Sequence, residues 1–239
     1  MNENKSFNFL YVAAAAVLVI IGGFFSTTSG SLTAKTELAE TKNIELPDGS
    51  IVNLNYLSSL KYTEEDGKRL VYLEGEAYFQ VARNKSKPFV IRTNESITQV
   101  LGTKFNLKSR DNVTHLDVTE GKVSFESTNS SKNKLILIKD QSSFVPKDGL
   151  PVLSGETNSK LSISWLNKRI IFKNSKLPLV IKEIERIYNK KINLDQTLVN
   201  TNVSLILDYT KPFDEALSFM TKSLNIKSKK GQAEYSIFQ

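Results

Sequence analysis

The most apolar stretch of the chain lies near its N-terminus, over residues 7–25. Its sequence, FNFLYVAAAAVLVIIGGFF, holds one strongly polar side chain, that of Asn8, and has no polar face. At about 1.5 Å per residue, a helix over this stretch is just long enough to cross a hydrocarbon core of about 30 Å. A signal peptide is the alternative, but FFST at residues 24–27 lacks the small-x-small cleavage pattern. We therefore predict an uncleaved, single transmembrane helix over 7–25.

The flanks of this segment indicate its orientation. Lys5 and the amino terminus give the short N-terminal side a slight positive bias, and a long C-terminal part is translocated largely regardless of its charge. We predict a single-pass protein of the cell inner membrane, with residues 1–6 in the cytoplasm and the bulk in the periplasm. Residues 26–43, rich in Ser, Thr and small side chains, are predicted to be a linker.

From residue 44 to about 147 the apolar positions alternate with polar ones in short runs separated by turn signals. In residues 71–81 one face collects apolar side chains and the other is polar, with Gly75 permitting a bulge. Leu116 and Val118 are predicted to pair with Val123 and Phe125 in a hairpin across Glu120-Gly121. The pattern predicts an all-β domain over 44–159, a sandwich or a compact β-solenoid; periodicity alone does not distinguish these two.

After residue 165 the period changes. A strand at 169–172, an amphipathic helix from Leu177 to Tyr188 and a strand at 191–194 are followed by the same order again. The second set is a strand at 203–209, a helix, and strands at 225–228 and 235–238; one face of the helix carries Phe213, Ala216, Leu217, Met220 and Leu224. We predict a small α+β tail domain over 160–239, built of two βαβ units.

The formal net charge of +7 lies entirely in this tail domain. Residues 26–159 carry 17 Lys/Arg and 17 Asp/Glu, whereas residues 160–239 carry 14 and 7. A basic surface suits nucleic acid, anionic lipid or an acidic protein, or is a solvated lysine-rich surface. Because nucleic acid is not available in the periplasm, we expect an acidic protein surface or the membrane as the partner.

The composition disfavours most enzyme chemistry. The chain has no cysteine, which excludes disulfides, thiolate zinc sites and a cysteine nucleophile, and His115 is its one histidine. A triad therefore has a single candidate base, multi-histidine metal sites are excluded, and we expect no cofactor and no small-molecule substrate. We expect His115 to be a solvent-exposed surface residue; a pH-sensing or catalytic role is the alternative.

Four carboxylates form the best catalytic alternative: a pair among them could hydrolyse a glycoside. They are Glu74, Glu76, Asp117 and Glu120. Alternating surface carboxylates on a strand are commoner, so we predict no catalysis. Gly75, Gly102 and Gly121 are explained by turns or bulges, and Trp165 is expected to pack at the junction of the two domains.

A set of segments in the middle region resembles the FecR-type periplasmic regulators, the anti-sigma partners of TonB-dependent transducers. The segments are LPDGS and VNLN at 46–55, LEGEAYFQV at 73–81, PFV at 88–90, VLGTKFN at 100–106 and EGKV at 120–123. Their family-motif residues, expected to be structural, are Leu46, Pro47, Asp48, Gly49, Ser50, Gly75, Glu76, Ala77, Phe79, Val81, Pro88, Phe89, Leu101, Gly102, Thr103, Phe105, Asn106 and Gly121. The tail is similar to the C-terminal domain that follows in many such proteins, and to the short N-terminal domain of secretins and TonB-dependent receptors.

The resemblance implies a transmembrane signal relay that regulates transcription, for example of iron or glycan uptake. In that family a cytoplasmic helical domain binds an extracytoplasmic-function sigma factor, and the periplasmic region senses the signalling domain of a TonB-dependent outer-membrane transducer. Six residues precede the predicted span here, too few to wrap a sigma factor. We expect sigma-factor binding only if that domain exists or is supplied separately.

We therefore predict a protein that works by binding, with the edge strands of the tail domain as the docking surface. The candidate contacts are Val203, Leu205, Leu207, Tyr209, Ile226, Lys227, Lys229 and Lys230. Two other functions stay open: a membrane-anchored structural or envelope-assembly module, and a glycan-binding or carbohydrate-active β domain.

Overall fold

The computed structural model describes residues 31–156, 159–232 and 234–239. The predicted N-terminus over 1–6 and membrane span over 7–25 lie outside these residues. Within the described ranges, no helix is both long and apolar enough to cross a membrane.

Thirteen strands form the β domain, residues 31–156, as one continuous sheet. The strands are β1 Leu32–Thr36, β2 Lys42–Glu45, β3 Ile51–Leu54, β4 Ser58–Glu65, β5 Lys68–Gln80, β6 Phe89–Arg92, β7 Ser96–Val100, β8 Lys104–Arg110, β9 Val113–Glu120, β10 Lys122–Ser127, β11 Ser130–Ile138, β12 Gln141–Pro146 and β13 Val152–Glu156.

The long strand β5 joins the two halves of this sheet. Its first half pairs with β4 and β6, and its second half, from Gly75 onward, pairs with β3 and β8. Gly75 has a φ of +95°, and a Cβ there would lie 2.7 Å from the Ser58 Cα, so only glycine fits where the strand changes direction. The halves enclose one apolar core, in which Phe79 of one half meets Phe89 of the other at a ring-centroid distance of 6.2 Å.

The predicted all-β character is confirmed, and the register resolves the architecture. Within the β domain every strand pair except β5–β6 is antiparallel, which is the register of a curled, barrel-like sheet and excludes a parallel solenoid. The linker predicted over 26–43 is too long, because β1 pairs with β4 and β2 with β3. Strand formation there follows from Leu32, Ala34 and Ile44, which pack against the core.

The predicted hairpin across Glu120-Gly121 is wrong. Strand β9 pairs with β8 and β12, whereas β10 pairs with β7 and β11 in the other half of the sheet. Gly121 adopts a φ of +89°. Its left-handed conformation lets the chain cross between the halves there instead of folding back on itself.

The tail domain contains three helices, two short 3₁₀ segments and five strands. In chain order these are α1 Ser159–Ser162, the 3₁₀ segment Ser164–Asn167, β14 Arg169–Lys176, α2 Leu177–Tyr188, β15 Ile192–Leu194, the 3₁₀ segment Gln196–Leu198, β16 Asn202–Asp208, α3 Phe213–Ser223, β17 Lys227–Lys230 and β18 Tyr235–Phe238.

The predicted order of strands and helices in the tail is confirmed, but the predicted pairing into two βαβ units is wrong. Strand β14 pairs antiparallel with β16, while β18 pairs parallel with β15 and antiparallel with β17. The strands are therefore exchanged between the two repeats. This exchange places α2 and α3 against one shared apolar core, which includes Leu177, Ile184, Leu217 and Met220.

Candidate functional site

A buried carboxylate joins the two domains. Glu183, 5% exposed, lies on α2, a helix that starts with Pro178 in its first turn and ends at Asn189 in the left-handed conformation. The Tyr56 hydroxyl donates a hydrogen bond to Glu183 Oε1, and Lys108 Nζ donates to the same oxygen at 3.3 Å. Arg186 Nη1 donates to Oε2 at 3.0 Å. Because Tyr56 and Lys108 belong to the β domain, Glu183 fixes α2 against it.

A second buried carboxylate supports this contact from the β domain. Asn55 Nδ2 and Asn106 Nδ2 donate to the two oxygens of Glu76 at 3.0 and 2.9 Å, and Lys108 Nζ lies 3.8 Å away. Trp165 Nε1 donates to Asn106 Oδ1 at 3.2 Å. The predicted place of Trp165 at the domain junction is confirmed. We call Tyr56, Glu76, Asn106, Lys108, Trp165, Glu183 and Arg186 the junction cluster.

The charges of the junction cluster are matched. Burial alone would raise the pKa of Glu183, but Lys108, the Tyr56 hydroxyl and the guanidinium groups lower it to about 2. Burial opposes the charge of Lys108 as well, yet Glu76 and Glu183 raise its pKa above the usual value. At neutral pH the junction is therefore held by ionised, mutually bonded groups.

Outside the junction cluster, Asp111 forms a more exposed contact between the domains. Arg186 Nη2 donates to the two Asp111 oxygens at 3.0 and 3.2 Å, and Lys182 donates to the same carboxylate. These cations lower the pKa of Asp111 although partial burial raises it. The β-domain loop at Asp111 is thereby bound to the same helix, α2, as Tyr56.

The segment between β1 and β2 also contacts the tail. Ala39 N donates to the carbonyl of Arg186 at 3.0 Å, and Lys168 Nζ lies 3.5 Å from the hydroxyl of Thr41. Strand β1 is held in turn by Thr36, whose hydroxyl donates to the Asn55 carbonyl at 2.6 Å. Helix α2 is thus bonded to the part of the β domain that follows the predicted membrane span.

Between the domains lies a cleft of about 580 Å³. His115 and Asp117 of β9 line its polar wall, and Ile171 and Leu179 of the tail line its apolar wall. His115 is exposed, as predicted, but it lies on the cleft wall, a position that was not predicted. Desolvation by the surrounding wall, and secondarily the Lys108 ammonium, lowers its pKa, and its ring lies 5.7 Å from that of Phe144.

Asp117 supplies a pH-dependent prediction. Burial, and secondarily Glu76, raises its pKa to about 6, above the value of 3.8 expected in the unfolded chain. A raised carboxyl pKa costs stability once the pH exceeds the unfolded pKa. We expect Asp117→Asn to raise the free energy of unfolding at pH 7 by ~1–2 kcal/mol, and to have no effect below pH 3.8.

Urea denaturation at pH 7 and pH 3.5 checks this expectation. Glu126→Gln, at a half-buried carboxylate on β10 in the other half of the sheet, is the matched control and should change neither value. A destabilised Asp117→Asn variant at pH 7 would contradict the assignment of an energetically costly charge at this position.

Of the four carboxylates considered for catalysis, Glu76 and Asp117 line the same cleft, and Glu74 and Glu120 lie elsewhere. Glu74 is exposed and accepts from the Ser59 hydroxyl, whereas Glu76 is buried and saturated by amides. The prediction that they share a solvated strand face is wrong, because the conformation of Gly75 turns Glu76 into the junction. Glu120 pairs with Lys104 at the surface. Within the described ranges, no group of three or more His, Asp or Glu side chains could hold a metal ion.

Most of the motif residues build the β domain. The LPDGS segment forms the turn between β2 and β3, with Gly49 N donating to the Leu46 carbonyl at 2.9 Å. Asp48 accepts from the Ser50 hydroxyl at 2.7 Å and from Arg69 Nη1 at 2.7 Å, and Ser50 in turn accepts from Ala82 N. These bonds fix the turn between β2 and β3 to Arg69 of β5 and to the backbone just after β5.

The remaining motif residues lie in or around the same core. Ala77, Phe79, Val81, Phe89 and Phe105 are buried core residues, Pro88 accepts from Arg69 N, and Pro47 and Leu101 are exposed. The Thr103 hydroxyl donates to the Lys122 carbonyl at 3.0 Å. Gly102, with a φ of +154°, packs so closely on Arg83 that a Cβ would lie 2.7 Å from its Cα. The motif residues therefore lie in the core and turns of the β domain, and Glu76 and Asn106 also contact the junction.

The comparisons with known proteins match both domains in order. Residues 33–124 match the family described as FecR protein, and residues 169–235 match the family described as FecR, C-terminal. The chain belongs to the FecR family. No curated protein matches it.

Two crystal structures of a "putative anti-sigma factor" from Parabacteroides distasonis ATCC 8503, at 2.50 and 1.65 Å resolution, are similar to this FecR-family chain. Each has a TM-score of 0.77 and 28% sequence identity, and the match covers 87% of this chain and 99% of that chain. Membership of the FecR family gives the chain a regulatory role in signalling, in which proteins are the partners.

The predicted docking residues of this FecR-family chain differ in their exposure to solvent. Val203 and Leu207 are buried, and Leu205 and Ile226 pack partly against the tail core. The Tyr209 hydroxyl donates to the Trp165 carbonyl at 2.7 Å. Lys227, Lys229 and Lys230 are exposed on β17. The predicted side chains of β16 are therefore mostly inaccessible to a partner. The backbone of β16 and its outward-facing side chains remain accessible.

The outward residues of β16 were missed. Ile206 is 56% exposed and lies beside Phe219 of α3, which is 52% exposed. The alternation of β16 carries the signal, since Ser204, Ile206 and Asp208 share the face opposite to Val203 and Leu207. Because β16 carries apolar side chains on both faces, and the tail core covers only one of these faces, the apolar side chain on the other face is left exposed.

Proposed function

We propose that this chain is a transmembrane signal relay of the FecR anti-sigma type. Its tail domain binds the periplasmic signalling domain of a TonB-dependent outer-membrane transducer, and the bound state controls an extracytoplasmic-function sigma factor. The observation that carries this proposal is the match of both folded domains, in the same order, to the two FecR families. Residues 7–25 supply the anchor in the inner membrane, and the described domains are periplasmic.

The geometry of the junction supports binding and relay. Its two carboxylates, Glu76 and Glu183, accept from amides, one ammonium group, one guanidinium group and a phenol, which supports a role in holding the domains together. Helix α2 of the tail is bonded directly to Tyr56 and to the backbone of Ala39. A partner on the tail is therefore connected to β1 through the hydrogen bonds of α2, Tyr56, Ala39 and Thr36.

An expression reporter tests this function. We expect deletion of the gene to change, by tenfold or more, the induction of the transporter operon adjacent to it. A variant with the membrane segment and both domains should restore the response, and the variant lacking residues 160–239 should not. Unchanged induction together with a disturbed cell envelope would contradict the relay and support the envelope-assembly alternative.

A further inference from the structure

Eight strands lie at the edges of the described sheets: β1, β2, β11, β13, β14, β15, β16 and β17. An unprotected edge strand offers unpaired backbone groups to another chain, and proteins block such edges with charged residues, bulges or very short strands. The state of each edge therefore indicates which of them is available for docking.

Seven of these eight edge strands carry a lysine or a bulge, or are very short. Lysine occurs on β1, β2, β14 and β17, at positions that include Lys35, Lys42, Lys173 and Lys229. Strands β11 and β13 each contain a bulge, and β15 has three residues. The edge of β17, which has four exposed residues with three lysines, is the most strongly blocked.

Strand β16 is the least protected of the eight, since its one charged residue is Asp208, at its end. Its seven residues, NVSLILD, contain no lysine, arginine or proline, and the extra residue of the β14–β16 pair lies on β14. Asn202, Ser204 and Ile206 are exposed along it. Beside the strand is a groove of about 210 Å³ lined by Ile206, Leu207, Ala216 and Phe219, with Lys211 and Glu215 at its rim.

We infer that the free edge of β16 is the docking surface for an extended strand of an acidic partner domain, which inserts an apolar side chain between Ile206 and Phe219. This inference rests on the proposed function and names the surface that performs it. Main-chain hydrogen bonds to β16 supply the affinity, and the groove selects the apolar residue. Strand β17, the other predicted edge, is excluded from the contact.

The charge of the tail domain favours such a partner over a second copy of this chain. Residues 160–239 carry 14 Lys/Arg and 7 Asp/Glu, so two tail domains repel each other, whereas an acidic domain is attracted. Around the groove itself the charges are balanced, since Lys211 pairs with Glu215 and Arg169 with Asp208. The groove mouth therefore accepts an uncharged side chain, while the surrounding surface attracts acidic ones.

The test is a binding titration of the folded chain against the purified signalling domain of a candidate TonB-dependent transducer from the same genome. We expect Ile206→Lys, which adds the block found on the other edges, to weaken binding at least tenfold. Ile136→Lys is the matched control, because Ile136 is 54% exposed on another edge strand, and it should change binding less than twofold. Hydrogen exchange of the complex should show protection of the amides of β16.

Each other result has a defined meaning. If the wild-type chain binds but Ile206→Lys binds equally well, or protection falls on β17, the β16 assignment is wrong and the proposed function stands. If the folded wild-type chain does not bind the signalling domain, the proposed function fails and the assignment with it. A wild-type dimer that Ile206→Lys converts to a monomer would show a second copy on this edge and overturn the inference.

Discussion

Asp48→Ala is expected to lower the free energy of unfolding by about 3–5 kcal/mol, because it leaves a buried guanidinium without its counter-charge. The side chains of Arg69 and Asp48 are 1% and 6% exposed, and their ion pair measures 2.7 Å. Arg69 also donates to the carbonyls of Lys87 and Ala82, and its guanidinium lies 5.2 Å from the centroid of the Phe89 ring. The surrounding packing is therefore built around the charged group.

Thermal and urea denaturation measure this loss. For a chain of this size, 3–5 kcal/mol corresponds to a fall in Tm of roughly 10 °C. Glu40→Ala removes the ion pair of an exposed carboxylate with Lys42 and should cost less than about 1 kcal/mol. The double variant Asp48→Leu/Arg69→Met should be more stable than Asp48→Ala. If Asp48→Ala lowers the free energy of unfolding as little as Glu40→Ala does, the buried Asp48–Arg69 pair is not what stabilises the β domain at this turn.

Glu183→Ala is expected to destabilise the junction of the two domains by about 3–5 kcal/mol. The substitution removes the acceptor shared by Tyr56, Lys108 and Arg186, and leaves their donors without that partner. Because these bonds connect α2 to the β domain, we expect the tail to unfold separately. Scanning calorimetry should show one transition for the wild-type chain and two for the variant.

The pH dependence of this effect follows from the pKa of Glu183. The folded-state value of about 2 lies below the ordinary value of 4.5, so the stabilisation is complete above pH 4.5 and is lost as the pH falls toward 2. The difference between wild-type and Glu183→Ala should shrink over that window. Glu215→Ala, which removes an exposed ion pair on α3, is the control and should leave a single transition. Two transitions in the wild-type chain at pH 7 would show that the junction does not couple the domains.

The sequence predicts the elements of this fold better than their partners. Alternation identifies the strands of the β domain, and the period change after residue 165 identifies α2 and α3, because both patterns depend on local burial. Strand pairing depends on contacts between distant residues. For that reason the exchange of β14 and β15 between sheets, and the crossing of the chain at Gly121, could not be predicted from periodicity.

The candidate site shows the same limit. Trp165 could be placed at the junction because a single tryptophan between two patterns is expected to be buried. Glu76 was assigned to a solvated face because strict alternation ignores the turn of the strand at Gly75, whose conformation depends on the close approach of Ser58. Glu183 lies 127 residues from its partner Tyr56, and no local pattern marks that contact.

Family membership and physical properties both support the proposal that the tail domain binds the partner. The net positive charge of this domain favours an acidic partner but does not indicate which surface binds it. Among the eight described edge strands, β16 is the one that has no lysine, arginine or bulge and is longer than three residues, and it is the surface that we propose for the acidic partner. The junction cluster then provides the connection from that surface to the β domain and β1.

The most direct test of the proposed relay is calorimetric titration of residues 31–239 with the purified periplasmic signalling domain of a candidate TonB-dependent transducer from the same genome. We predict saturable one-to-one binding with a Kd of about 1–10 μM at physiological ionic strength, weakened by added salt because the tail is basic. Absence of heat and of complex formation at about 100 μM of two folded proteins would contradict the proposed function.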